Sequence, residues 1–318
     1  MIQLSPTVRL QEVQGIIVPL VTPLLAQDTL DVQGLERLID HVLLGGVHAI
    51  HLLGSCGEGP SLSAKVKRDL VSQTCQRVHR RVPILVGITD CAFAESVALA
   101  EHAHDSGADG LVVAPPYYYL TSQNELASFV RHLHHELRLS FILQNAPEQA
   151  RCRFEMETIT SLLDLPLLYG VCDTGREFDW LARWTTHVEQ HPMCNLIVEN
   201  EAMLNQSLQG GAAGIFAKGA NLFPDLFVGW YDAIQCGDSE RAGGYQTIVQ
   251  QLESIYRIGS HASTVKSAKA GLAYLNICGD LAAEPFQPLD ESENAAIAAI
   301  LEGIEHQIER GTQAMSYV

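Results

Sequence analysis

Positive charge is what this chain has least of. Its 318 residues include five lysines, at positions 65, 67, 218, 266 and 269, and Lys and Arg together number 20 against 37 Asp and Glu. A formal net charge of −17 leaves no broad basic face, so neither nucleic acid nor an anionic membrane is expected as a partner. A small anion responds to a local field and stays possible as a ligand. No apolar run approaches the roughly 20 residues that cross a bilayer. Met1 to Gln14 lacks a basic stretch followed by an apolar one, so no export signal is expected. Cysteines at 56, 75, 91, 152, 172, 194, 236 and 278 form no CxxC and read as reduced thiols of a cytoplasmic protein. Arg131-His132-Leu133-His134-His135 is the densest histidine cluster, but no third ligand lies near it, so it reads as a helix face and not a metal site. Neither a metal nor a cofactor is expected.

What the chain does have is a repeating alternation. Short apolar runs occur at 15–20, 49–53, 83–87, 110–113, 141–143, 168–173, 195–198 and 214–217. Helical periodicity separates most of them, as in Leu35, Leu38, Ile39, Val42 and Leu43. The runs are continuously apolar, as expected of parallel strands covered on both faces. Eight strand–helix units predict an α/β fold, a (β/α)8 TIM barrel over residues 1–236. After Asp238 the strands stop, and three helical patterns near 238–258, 263–276 and 290–309 predict a C-terminal three-helix extension over 237–318. No linker-like stretch separates the two parts. Phe178 to Val188 is expected to be helical, with Trp180 and Trp184 as packing residues.

In such a barrel, chemistry sits at the C-terminal ends of the strands. Here those ends read Gly54-Ser55-Cys56-Gly57-Glu58, Ala114-Pro115-Pro116-Tyr117-Tyr118, Gln144-Asn145-Ala146-Pro147, Cys172-Asp173, Glu199-Asn200-Glu201 and Lys218-Gly219-Ala220-Asn221. Together with Gly15 through Thr22-Pro23, Ser122-Gln123 and Val265-Lys266, this series resembles the dihydrodipicolinate synthase / N-acetylneuraminate lyase family from Gly15 to about Gly279. The resemblance implies a lyase or aldolase handling a 2-oxo acid such as pyruvate, and a homotetramer built as a dimer of dimers. It also implies a lysine that makes an imine with the keto carbon, a tyrosine that relays protons, and a Gly-rich loop that holds the substrate carboxylate.

Position by position, the match is uneven. Ser55 stands where the family has a threonine hydroxyl, Cys56 where it has a second threonine, and Gly57 keeps the loop small. Tyr118 matches an aromatic that reaches into the neighbouring protomer's site. Gln144 replaces the relay tyrosine and, being a neutral amide, cannot do acid–base work. Gln149 falls where many members carry an arginine, and Arg151 is nearby but not aligned. Cys172 replaces the Schiff-base lysine, so the family's imine is lost at its usual place.

Among the five lysines, Lys218 ends a barrel strand and is the candidate for a relocated amine. Glu199 ends the neighbouring strand, and an ion pair between the two is the competing expectation. An ordinary lysine pKa of about 10.4 leaves roughly one amine in 2,500 neutral at pH 7, and a touching carboxylate lowers that fraction. Cys172 is a second candidate nucleophile, but Asp173 beside it opposes a thiolate. His51 reads as a packed residue and Glu58 as a local hydrogen-bonding one. Two functions follow. One is a divergent lyase or aldolase acting on a small 2-oxo acid or related carbonyl carboxylate, with Ser55, Cys56, Gly57, Tyr118 and Glu199 around the ligand. The other is a non-catalytic homologue that binds a small metabolite or serves as a structural or regulatory subunit.

Overall fold

The computed structural model describes residues 13–147, 149–173, 184, 194–259 and 264–315. Eight parallel strands close into a barrel: β1 (Gly15–Pro19), β2 (Ala49–Leu52), β3 (Ile84–Gly87), β4 (Gly110–Val113), β5 (Phe141–Asn145), β6 (Leu168–Asp173), β7 (Asn195–Val198) and β8 (Gly214–Phe216). Each strand pairs with the next in sequence. β8 returns to β1 through Gly15 opposite Gly214 and Ile17 opposite Phe216. A small hairpin, Leu24–Ala26 with Thr29–Leu30, follows β1 and was not foreseen.

The helices form where the sequence punctuates them. In α1 (Val32–Leu44) the Asp31 side chain accepts from the Gly34 N–H, and the stripe Leu35, Leu38, Ile39 and Val42 is buried. Ser63 caps α2 (Ala64–Val78) by accepting from the Val66 N–H. α3 (Phe93–Ser106) ends at Gly107, whose φ of 91° is the left-handed conformation that terminates helices. Ser122 and Glu125 make a reciprocal capping box at the start of α4 (Gln123–Glu136). α5 (Met156–Thr160) is a short helix, and turns follow it to Asp164. The expected helix at 178–188 lies outside the described residues except for Trp184, which is buried.

Strand alternation divides the core in two. Odd and even positions separate into a shell packed under the helices and a plug inside the barrel. The plug takes one buried side chain from every strand: Ile17, Ala49, Leu85, Val112, Ile142, Cys172, Ile197 and Phe216. Val13 closes it from below. This dry layer is a floor. Two residues further along β5, β7 and β8 the same inward row continues as Gln144, Glu199 and Lys218. The barrel therefore turns from apolar to polar in one step at the ends of its strands.

α6 (Leu204–Gln209) precedes β8, and α7 (Pro224–Gln235) follows it. Among the described residues three further helices follow: α8 (Ser239–Glu253), continued by a tight turn at Ser254–Arg257, α9 (Thr264–Tyr274) and α10 (Glu291–Met315). The turn at 254–257 carries Tyr256 and Arg257 to the barrel mouth, which positions the extension over the site.

Candidate active site

A cavity of about 1080 Å³ opens above the floor. Ser55 from the loop after β2, Gln144 from β5, Glu199 after β7 and Lys218 after β8 all line it, with Tyr256, Arg257 and Thr264 from the extension. Four of these were expected from their strand-end positions. Tyr256 and Arg257 were not, because nothing in a helical pattern tells which of its residues will overlie a barrel.

The Gly-rich loop is rigidly set. Leu53 (φ 59°) and Glu58 (φ 56°) both adopt the left-handed conformation, which costs a non-glycine residue on the order of 1 kcal/mol. The loop is anchored where this strain occurs: Thr22 Oγ1 donates to the Gly57 carbonyl at 2.7 Å. Glu58 Oε1 accepts the Ala283 N–H at 2.7 Å, and the same carboxylate pairs with Lys269 of α9. Lys269 also donates to the Leu281 carbonyl at 2.6 Å. Both charged side chains of this pair are fully buried. The loop that presents Ser55 is thus tied to the C-terminal helices by a sealed ion pair.

Ser55 presents its hydroxyl to Glu199. Ser55 Oγ donates to Glu199 Oε1 at 2.7 Å, and Gln144 Nε2 donates to Glu199 Oε2 at 2.7 Å. Burial pushes the Glu199 carboxyl above its ordinary range. The bonds from Ser55 and Gln144 and the charge of Lys218 draw it partly back. The expected ion pair between Lys218 and Glu199 is absent: among the described residues no carboxylate lies within ion-pair distance of the Lys218 amine. The two oxygens of Glu199 are held instead by Ser55 and Gln144. Lys218 instead lies over the Tyr256 ring, with Nζ 4.7 Å from its centroid, a cation–π distance.

The turn carrying Lys218 is clamped from two sides. Asn221, fully buried, donates to the carbonyls of Pro19 and Lys218 at 2.9 Å each and accepts the Val21 N–H at 3.1 Å. Gly219 donates its N–H to Glu201 Oε1 at 2.7 Å. A Cβ at Gly219 would meet the Phe227 ring at 2.6 Å, so the turn needs glycine there. Glu201 is 1% exposed, and its other oxygen has no hydrogen-bond partner among the described residues. Burial raises its carboxyl to about 7, against the opposing pull of Lys218.

The remaining candidates lie elsewhere. Cys172 is fully buried in the floor and does not line the cavity. Burial, Glu199 and Asp173 all push its thiol well above the ordinary value, which leaves it a packing residue and not a thiolate. Cys56 is also fully buried, its thiol raised to about 12, and neither it nor Gly57 lines the cavity; both cysteines are free thiols. His51 is buried and stacked on Phe216 at 4.6 Å; burial lowers it to about 3, so it stays neutral. Gln149 lines the cavity, whereas Arg151 points to the Tyr118 carbonyl at 3.5 Å. Tyr118 itself is 65% exposed, outside the cavity, beside exposed Tyr119 and Leu120.

A closed eight-stranded barrel with a polar, amine-bearing cavity at its strand ends defines the class: a (β/α)8 protein built like the lyases and aldolases of that fold. Comparison with known proteins narrows it. The profile of the dihydrodipicolinate synthetase family matches residues 12–304. A DapA-like lyase of Halobacterium salinarum is 30% identical over 290 residues, covering 90% of this chain and 92% of its own. A putative 2-dehydro-3-deoxy-D-gluconate aldolase of Escherichia coli is 29% identical, covering 91% of this chain and 96% of its own. Among solved structures, a dihydrodipicolinate synthase of Bacteroides thetaiotaomicron superimposes with a TM-score of 0.87 at 39% identity over 91% of this chain and 98% of its own. The Escherichia coli protein YagE, solved in complex with pyruvate, gives 0.86 at 27% identity over 92% and 99%. The chain belongs to the dihydrodipicolinate synthetase family.

Proposed function

We propose that this protein is a divergent lyase or aldolase of its family, acting on a small 2-oxo acid or related carbonyl compound through an imine at Lys218. The imine is moved from β6, where Cys172 now stands, to the end of β8. One observation carries the reading. Lys218 faces a roomy cavity beside Ser55 and Gln144, while the carboxylate expected to neutralise it is held by other partners. An amine locked in an ion pair cannot attack a carbonyl, and among the described residues no carboxylate locks this one. The aromatic face of Tyr256 orients it without giving it a proton acceptor.

One similar protein supports the substrate class: YagE of Escherichia coli is named a putative aldolase of a 2-dehydro-3-deoxy sugar acid and was solved with pyruvate. Neutral polar side chains around the cavity, among them Gln144, Gln149, Asn200 and Thr264, suit a hydroxylated chain beyond the keto group. With Gln149 in place of the family's arginine, Arg257 is the cavity-lining guanidinium available to a distal anionic group. The exposed Tyr118-Tyr119-Leu120 edge supports assembly with a second copy, as in the family's dimer of dimers.

The test is borohydride reduction in the presence of pyruvate and a panel of longer 2-oxo acids, read by intact mass. One reduced adduct per chain is expected with at least one acid. No adduct with any of them, while a lysine-bearing family aldolase traps pyruvate alongside, contradicts the reading. It would leave the non-catalytic one: with Ser55 already bonded to Glu199, a ligand carboxylate would have to displace that bond.

A further inference from the structure

We propose that Glu199 is the proton-transfer residue of this site, with Ser55 and Gln144 holding its two oxygens beside the Lys218 amine. The proposal rests on the imine at Lys218 and adds the acid–base group that the site otherwise lacks. Gln144 stands where the family relays protons and has no titratable proton of its own. The structure shows where that function can go, because Gln144 Nε2 and Ser55 Oγ reach from opposite sides of the mouth to one carboxyl group. Three strand ends that are distant in sequence converge on it: the loop after β2, β5 and the end of β7.

The environment fits a group that cycles its proton. Glu199 is half-buried at the cavity wall, so it can meet a ligand as well as its holders. Its titratable neighbours are Lys218 from β8, Asp173 and Cys172 from β6, and Cys56 from the loop after β2. Burial raises its carboxyl above the ordinary range, the direction that favours a group able to carry a proton. The two hydrogen bonds fix its orientation in either protonation state, since the Ser55 hydroxyl can donate to the carboxylate or accept from the acid.

The steps balance on these groups. The neutral Lys218 amine adds to the keto carbon; the carbonyl π pair becomes a hydroxyl as the nitrogen gives up one proton. Protonated Glu199 then donates to that hydroxyl, the C–O bond breaks, water leaves, and the nitrogen lone pair forms the C=N bond. The result is an iminium cation and a Glu199 carboxylate, so charge is conserved. That carboxylate removes a proton from the carbon next to the iminium, giving a neutral enamine and restoring the Glu199 acid.

The last step can be read without knowing the natural substrate. Pyruvate in D2O should exchange its methyl protons, followed by 1H NMR across pH. Glu199→Gln keeps the size and can keep both contacts, with the Gln144 amide reversed. It is expected to slow exchange about 100-fold or more and to lose the acidic limb of the profile. Prolonged borohydride trapping on Lys218 should still succeed in that variant. Ser55→Ala and Gln144→Leu each remove a bond that lowers the Glu199 pKa, so in each the same limb should move to higher pH. Exchange at the wild-type rate with an unchanged profile in Glu199→Gln overturns this proposal alone. A wild-type protein that traps no 2-oxo acid overturns the Lys218 imine, and this proposal with it.

Discussion

Two lysines of this molecule sit near buried carboxylates, and they are held in opposite ways. Lys269 is sealed inside the contact between the Gly-rich loop and the C-terminal helices, paired with Glu58 and bonded to the Leu281 carbonyl. Lys218 faces an open cavity, lies on an aromatic ring, and leaves Glu199 to Ser55 and Gln144. A charge buried with its partner holds a fold together, because removing either member strands the other in low dielectric. A charge at a cavity wall without a touching counter-ion is available to a ligand. The difference is one of neighbours and not residue type, and it separates scaffold from chemistry within one barrel end.

The largest expected effect is on chemistry. Lys218→Met should abolish adduct formation with every 2-oxo acid while leaving the thermal transition of the protein near that of wild type. A variant that still traps would erase the contrast between the two lysines. Next comes the scaffold pair. Lys269→Met should cost about 3–5 kcal/mol in chemical denaturation by leaving Glu58 buried and alone. Adding Glu58→Gln should recover part of that loss, and a strictly additive double variant would mean the pair is uncoupled.

A smaller effect is written in pH. The Glu201 carboxyl is raised to about 7 in the folded chain, whereas an unfolded glutamate titrates near 4.3. The folded state therefore binds more protons between those values. The penalty of holding Glu201 ionised grows from about pH 4 and is complete above about pH 7, reaching at most about 4 kcal/mol. Glu201→Gln keeps an acceptor for the Gly219 N–H, so its stability relative to wild type should rise over that interval and be flat below it. Equal gains at pH 4 and pH 8, read by urea denaturation, would contradict the assignment. The smallest effect falls on the barrel floor. Cys172→Ala should cost about 1 kcal/mol for lost packing and leave trapping unchanged.

Much of this could be read from the sequence, for definite reasons. The eight strands announce themselves because each is buried on both faces and so has no polar alternation to confuse it with a loop. Ser55, Gln144, Glu199 and Lys218 were legible because a strand end in this fold points into the mouth. The pairing among them was not. Lys218 and Glu199 are neighbours by strand order, yet whether they touch is a matter of side-chain placement that strand order does not give. Ser55 lies 144 residues away from Glu199 and Gln144 lies 55 away. Glu58 and Lys269 were hidden for the same reason, as were Tyr256 and Arg257, which come from helices whose amphipathic pattern does not say what they cover. The short Leu24–Leu30 hairpin was missed because strands of two and three residues carry no periodicity.

The most direct measurement is to locate the reduced adduct. Wild-type protein trapped with the 2-oxo acid that reacts best would be digested and the modified lysine identified by tandem mass spectrometry. The account predicts one modified site, Lys218, with Lys65, Lys67, Lys266 and Lys269 unmodified. An adduct on any of those four, or none on Lys218, would contradict a relocated amine at the end of β8.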